Sequence, residues 1–213
     1  MIVLLFVLII VLVTILCLAW RLGSRTHALP CPVWMKWLLD PTAGKSVSPR
    51  TKKTIRLLQV QPGMKILDAG CGPGRLTIPL AKETGPQGSV TAMDMQEGML
   101  HEVRKRAKRN QCTNITCIRG GIGDGFLPAD HYDRVVLITV LGEIPDREAA
   151  LRELYYTLRP GGILLIEETI RDPHYQKRDF VSKLAGTIGF IGEEFNGNRF
   201  SYILLLKKPP FPA

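Results

Sequence analysis

Residues 66–77 read Ile-Leu-Asp-Ala-Gly-Cys-Gly-Pro-Gly-Arg-Leu-Thr, an apolar strand end that runs into three glycines spaced two apart and then into helix-forming sequence. A strand that enters such a turn leaves bare main chain at a helix N-terminus, where a side chain would crowd whatever lies there. Such a slot suits a nucleoside cofactor. The fingerprint for a dinucleotide pyrophosphate begins the same way, but it needs a glycine or alanine three residues after its second glycine. Counting from Gly70 and Gly72, Arg75 stands there, so that version is excluded.

About twenty residues after the turn, Ser89-Val90-Thr91-Ala92-Met93-Asp94 reads as a second strand ending in a carboxylate, placed to accept from both hydroxyls of a ribose. The pattern Asp68-x-Gly70-x-Gly72-x-Gly74 resembles motif I of the class I S-adenosylmethionine-dependent methyltransferases. Residues 132–140 are similar to the family's central strand, and Leu158-Arg159-Pro160-Gly161-Gly162 with the apolar run after it is similar to its helix end, turn and fifth strand. The resemblance covers residues 47–208. It implies an α/β, Rossmann-like sheet of seven mostly parallel strands with an antiparallel last strand, helices on both faces, and S-adenosyl-L-methionine as cofactor. Implied cofactor contacts are Asp68, Gly70, Cys71, Gly72, Gly74, Asp94 and Thr139. Met95 either covers the adenine face or is a core methionine. After the third strand, Gly120-Gly121-Ile122-Gly123-Asp124-Gly125 departs from the family's usual Gly-Asp pattern and allows two registers, with Ile122 as apolar cover and Asp124 as polar contact.

Strands are expected near 64–68, 89–94, 115–119, 132–139 and 162–168, separated by helices near 75–84, 96–109, 146–158 and 174–185. Ser48-Pro49 starts a further helix, with serine as cap and proline in the first turn. Asn196-Gly197-Asn198 between two apolar stretches (187–195 and 199–207) signals a hairpin, which makes the last strand antiparallel to its neighbour.

Ahead of this domain, residues 1–20 carry no charged side chain, and at 1.5 Å per residue such a helix spans about 30 Å, the thickness of a bilayer's hydrocarbon core. A signal peptide competes with this reading. No basic segment precedes the run, however, and the run exceeds an ordinary signal's apolar stretch, which favours a retained single-pass anchor. Arg21, Arg25 and His27 follow the span, so the domain is expected in the cytoplasm. The boundaries expected are anchor 1–21, juxtamembrane linker 22–46 and catalytic domain 47–213.

The formal charge of +9 is concentrated. Residues 21–56 hold eight Lys or Arg against Asp40, a net +7, and the remainder holds twenty against eighteen, a net +2. Basic residues beside an anchor bind anionic headgroups, with Trp34 and Trp37 suited to the same layer. Membrane lipids are thus expected partners. Arg104-Lys105-Arg106 with Lys108 and Arg109 reads as a solvated helix face, and nucleic acid is disfavoured. Five cysteines (17, 31, 71, 112 and 117) show no metal-ligand spacing, and free thiols with no metal centre are expected. Oligomeric state is not readable.

Methyl transfer from a sulfonium is an in-line displacement that depends chiefly on alignment, and a base helps only an acceptor that arrives protonated. Candidates belong at the carboxyl ends of the strands. Glu143 follows the central strand. His174 and Tyr175 follow the fifth, at the end of a polar segment in which Pro173 reads as a helix start. The function expected is methyl transfer to a lipidic or membrane-associated acceptor, such as a phospholipid amine or a quinone precursor. A small thiol or amine is the alternative acceptor, and a cofactor-binding assembly protein without turnover is the alternative from another class.

Overall fold

Strands buried on both faces need helices above and below them, and the chain alternates the two. The computed structural model describes residues 2–27 and 47–210. Strands β1 (Lys65–Ala69), β2 (Ser89–Asp94), β3 (Ile115–Arg119), β4 (Tyr132–Ile138) and β5 (Leu158–Thr169) run parallel. β7 (Ser201–Lys207) lies antiparallel between β5 and β6 (Ile191–Asn198), which gives the order β3-β2-β1-β4-β5-β7-β6. The mixed seven-stranded sheet with its antiparallel last strand is the one expected from the sequence.

Helices are α1 (Ile2–His27), α2 (Pro49–Leu58), α3 (Thr77–Thr84), α4 (Glu97–Arg109), α5 (Arg147–Thr157) and α6 (Arg178–Ile188), with a 3₁₀ turn at Leu141–Glu143. Leu67, Val135, Leu137, Leu164 and Ile166 face Leu151 and Leu154 of α5 and Val181 of α6. On the other face Ile66, Val136 and Leu165 meet Leu58 of α2 and Leu80 of α3. Side chains alternate across a strand, so the same parity turns Asp68 and Glu167 toward α2 and α3, and Glu168 toward α5 and α6. Ser48 caps α2 as expected, its hydroxyl accepting from Thr51 N at 3.1 Å.

Four local expectations are corrected. β5 starts at Leu158, because Leu158 already pairs with Tyr132 and a bulge then carries Gly161, at φ 79°, before Ile163 resumes the register with Arg134. α6 starts at Arg178, not near 174. Asp172 accepts from the backbone N–H of His174 at 2.7 Å, so Pro173 sits in an Asp-led turn. At its other end α6 runs to Ile188, which removes Thr187 from the following strand. The hairpin turns at Arg199 and Phe200: Gly197 pairs with Tyr202, and the Asn198 side chain accepts from Phe200 N and Ser201 N at 2.9 and 3.2 Å.

α1 passes the expected boundary at residue 21, and its stretch Leu4–Ser24 is long and apolar enough to cross a membrane. Its side chains from Leu4 to Ile10 are exposed, whereas Ser24 is buried. Most of the expected linker, with Cys31, Trp34, Trp37, Asp40 and Lys45, lies outside the described residues.

Candidate active site

β1 and β2 end side by side because Ala69 pairs with Met93, and the turn is tied across by Gly70 N and Cys71 N donating to Met93 O at 2.8 and 2.9 Å. Gly70, Gly72 and Gly74 have φ of 72°, 51° and 83°, where a side chain is resisted. A Cβ on Gly70 would lie 2.4 Å from the Val140 side chain, and one on Gly74 would lie 3.1 Å from Val103. Those two glycines therefore close the turn on its own neighbours. Gly72 N donates to Asp94 Oδ2 and Gln96 N to Asp94 Oδ1, both at 2.9 Å. Burial pushes the Asp94 carboxyl up and these two donors pull it back. Each of its oxygens retains a second lone pair, and Met95, 65% exposed, stands beside it. A carboxylate with lone pairs to spare, an open thioether and bare glycine main chain fit a nucleoside cofactor.

Behind the turn, buried Asp68 accepts from the Thr77 hydroxyl at 2.6 Å, and burial pushes its carboxyl up to about 6. Burial and the neighbouring Asp68 and Asp94 carboxylates push the Cys71 thiol up, so it stays protonated. Thr139, at φ 51°, donates through its hydroxyl to Ile138 O and through its N–H to Glu167 O, both at 2.8 Å. In the loop after β3, Ile122 packs inward while exposed Asp124 accepts from Gly121 N at 2.9 Å. The loop is pinned from α5, where Glu153 accepts from Gly123 N and from Leu127 N.

The ends of β4 and β5 form a second polar cluster. Gly142 lets them meet, since a Cβ there would lie 1.9 Å from His174 O. As a result, His174 Nδ1 lies 3.8 Å from Glu143 Oε1 and 3.5 Å from Asp172 Oδ1. On the ring's far side Nε2 is 2.7 Å from the Ser24 carbonyl of α1. A carbonyl only accepts, so Nε2 carries the proton. His174 Nδ1 is buried without a hydrogen bond. Glu168 is buried beside this cluster, and burial pushes its carboxyl up to about 8; Oε2 accepts from Gln176 N at 3.2 Å and Oε1 has no hydrogen bond. Arg147 donates to Gly142 O at 3.0 Å.

Of the catalytic candidates, Glu143 and His174 are brought together and Tyr175 is not. The Tyr175 hydroxyl donates to Arg199 O at 2.7 Å and its ring packs edge-on to Tyr202, which ties the loop to the hairpin. Glu168, Arg147, Glu153 and Ser24 were not singled out in the sequence. Only Glu168 left a signal there, since of two adjacent carboxylates on an alternating strand one must face each side. The basic flank is partly structural, because Arg50 pairs with buried Glu167, which also accepts from Thr54. On α4, Arg106 is buried and Arg104 pairs with Glu97. Cys17, Cys71, Cys112 and Cys117 are free thiols.

A family model described as a methyltransferase domain matches residues 60–186. A demethylmenaquinone methyltransferase of Listeria welshimeri serovar 6b is 36% identical over 118 residues, which are 55% of this chain and 50% of that protein. The chain thus spans about half the length of the curated relatives it matches. A S-adenosylmethionine-dependent methyltransferase of Aquifex aeolicus superposes with a TM-score of 0.74 at 18% identity, covering 84% of this chain and 99% of that one. Phosphoethanolamine N-methyltransferase 2 of Haemonchus contortus, solved with S-adenosylhomocysteine, superposes with a TM-score of 0.69 at 15% identity, covering 87% of this chain and 59% of that one. At these identities the structural likeness is one of fold. With the matched domain spanning the glycine turn, Asp94 and the ends of β4 and β5, the chain belongs to the class I S-adenosylmethionine-dependent methyltransferases.

Proposed function

We propose that this chain transfers a methyl group from S-adenosylmethionine to a quinone precursor held at a membrane, with its catalytic domain on the cytoplasmic side. The observation that carries the reading is the placement of two chemistries at the carboxyl ends of parallel strands in one sheet: the glycine turn with Asp94, and the Glu143–His174 pair. The relatives named for demethylmenaquinone and the apolar length of α1 favour a quinone precursor over a soluble acceptor. The domain boundaries follow: an anchor, a basic linker whose net charge attracts anionic headgroups, and a catalytic domain from about residue 47.

The cofactor supplies an electrophilic methyl group on a sulfonium. In this reading Asp94 accepts both ribose hydroxyls and Met95 covers one adenine face, with Ile122 and Asp124 on the loop opposite. Asp68, Gly70, Cys71, Gly72, Gly74 and Thr139 form the floor under the methionyl part. A ring carbon of a quinone precursor becomes nucleophilic when the ring is reduced and a neighbouring hydroxyl loses its proton. Glu143, with 20% of its side chain exposed, is the group such a hydroxyl reaches first, and His174 stands behind it with 5% exposed. Tyr175 shapes the rim. Alignment of the ring with the methyl group supplies most of the rate.

The test is incubation of the full-length protein in detergent with labelled cofactor and, in separate arms, reduced demethylmenaquinone, phosphatidylethanolamine, and small thiols and amines. Label in the quinone arm is expected. Label in another arm would reassign the acceptor, and label in none would leave a cofactor-binding protein without turnover.

A further inference from the structure

Two carboxylate oxygens and one imidazole nitrogen converge where the ends of β4 and β5 meet. His174 Nε2 is held as the proton-bearing nitrogen by the Ser24 carbonyl, which turns the other nitrogen, Nδ1, with its lone pair toward the carboxylates of Glu143 and Asp172. The three atoms lie within 4.8 Å of one another. Nδ1 is buried, has no hydrogen bond, and faces two negative oxygens just beyond hydrogen-bond reach. One imidazole lone pair and two carboxylate oxygens brought this close together form a donor set that a single cation can gather.

We propose that Glu143, Asp172 and His174 form a divalent-cation site. Ligands about 2.1 Å from a shared cation stand roughly 3.0–3.4 Å apart, so the 3.5 and 3.8 Å separations from His174, and the carboxylate pair within 4.8 Å, close by side-chain rotation of Glu143 and Asp172. One imidazole nitrogen and two carboxylate oxygens suit a first-row ion such as Mn²⁺ or Zn²⁺ better than Mg²⁺ or Ca²⁺, which favour all-oxygen sites. The Ser24 carbonyl is the outer partner that fixes the ring's tautomer, as ligating histidines require. Glu143 and Asp172 are partly exposed while His174 lies behind them, so the ion enters from solvent and keeps its open positions on that side. Under the proposed acceptor reading, on which this one point rests, those positions receive a hydroxyl oxygen of the acceptor.

The probe is Mn²⁺, titrated into the chelator-stripped full-length protein in detergent and read by loss of the free-ion electron paramagnetic resonance signal, without acceptor. One Mn²⁺ per chain is expected, displaced by Zn²⁺. Glu143→Gln, Asp172→Asn and His174→Ala should each weaken binding by about tenfold or more. Unchanged S-adenosylmethionine affinity serves as the folding control, and Glu143→Gln at a partly exposed position decides the matter if His174→Ala fails to fold. No loss of free-ion signal, or loss that persists in all three variants, overturns the site. A chain that binds Mn²⁺ and methylates no quinone keeps the site and loses the acceptor assignment.

Discussion

Gly142 does by lacking a side chain what no substitution can replace: it lets the turn after β4 press against the backbone of His174. Gly142→Ala puts a Cβ where the His174 carbonyl oxygen is 1.9 Å away, and both segments must part. Overpacking of this kind costs about 1–3 kcal/mol. Chemical denaturation should show that loss and turnover should fall, while cofactor affinity holds; intact turnover would mean that the Glu143–His174 approach is unimportant. Glu168 offers a test by pH. Its folded carboxyl is raised to about 8 against an ordinary 4.5, so between those values the folded chain binds more protons than the unfolded one. Its contribution to stability is therefore complete below about 4.5 and lost as the pH rises through 8. Glu168→Gln should gain on the parent protein in melting temperature as pH rises from about 5 to 9, and a constant difference would show that Glu168 is ionised throughout. Asp94 was legible because a carboxylate at the end of a clear strand has one place to be. Glu168 was not singled out, since its burial depends on α5 and α6 closing over that face. Arg147 and Ser24 were illegible because their partners, Gly142 O and His174, are distant in sequence.

The N-terminal helices show how polar groups bind elements together. Arg50 on α2 pairs with Glu167 on β5, and Glu167 is buried while Arg50 is half exposed. Arg50→Met strands a buried carboxylate that, among the described residues, keeps the Thr54 hydroxyl, a loss of about 1–3 kcal/mol, less than for a fully buried pair. Exposed Lys52→Gln should stay within about 0.5 kcal/mol. Equal losses in urea denaturation would show that α2 docks through its apolar face alone. Strand positions were readable because short β-rich runs end at turn residues. The start of α6 was misread since Asp-Pro opens a turn as readily as a helix. The hairpin slipped because Asn198, not Gly197, supplies the turn's capping oxygen.

Across the whole molecule, the contact between Ser24 and His174 joins the apolar helix to the polar cluster at the ends of β4 and β5. If α1 is the retained anchor proposed above, intact mass should show residues 1–27 in protein extracted from membranes, and alkaline carbonate should not release it. A mature chain that begins after residue 27 would remove both the anchor and the tautomer lock. Deleting residues 1–20 should spare turnover on a detergent-solubilised acceptor, whereas deleting 1–27, which takes Ser24 as well, should lower it. The parallel strands and the antiparallel last strand were legible because motif spacing and the hairpin signal specify them together, whereas the strand order came only from the structure. The meeting of α1 with the domain was not, because a backbone carbonyl leaves no trace in a side-chain pattern.

The proposed division of the sheet edge into a cofactor half and an acceptor half is tested most directly by calorimetric titration of S-adenosylmethionine into the full-length protein and two variants. Asp94→Ala should weaken affinity at least about tenfold, since each charge-assisted bond to a ribose hydroxyl contributes about 1.5–3 kcal/mol. His174→Ala should leave it unchanged. Unaltered affinity in folded Asp94→Ala, or an equal loss in His174→Ala, would contradict the account.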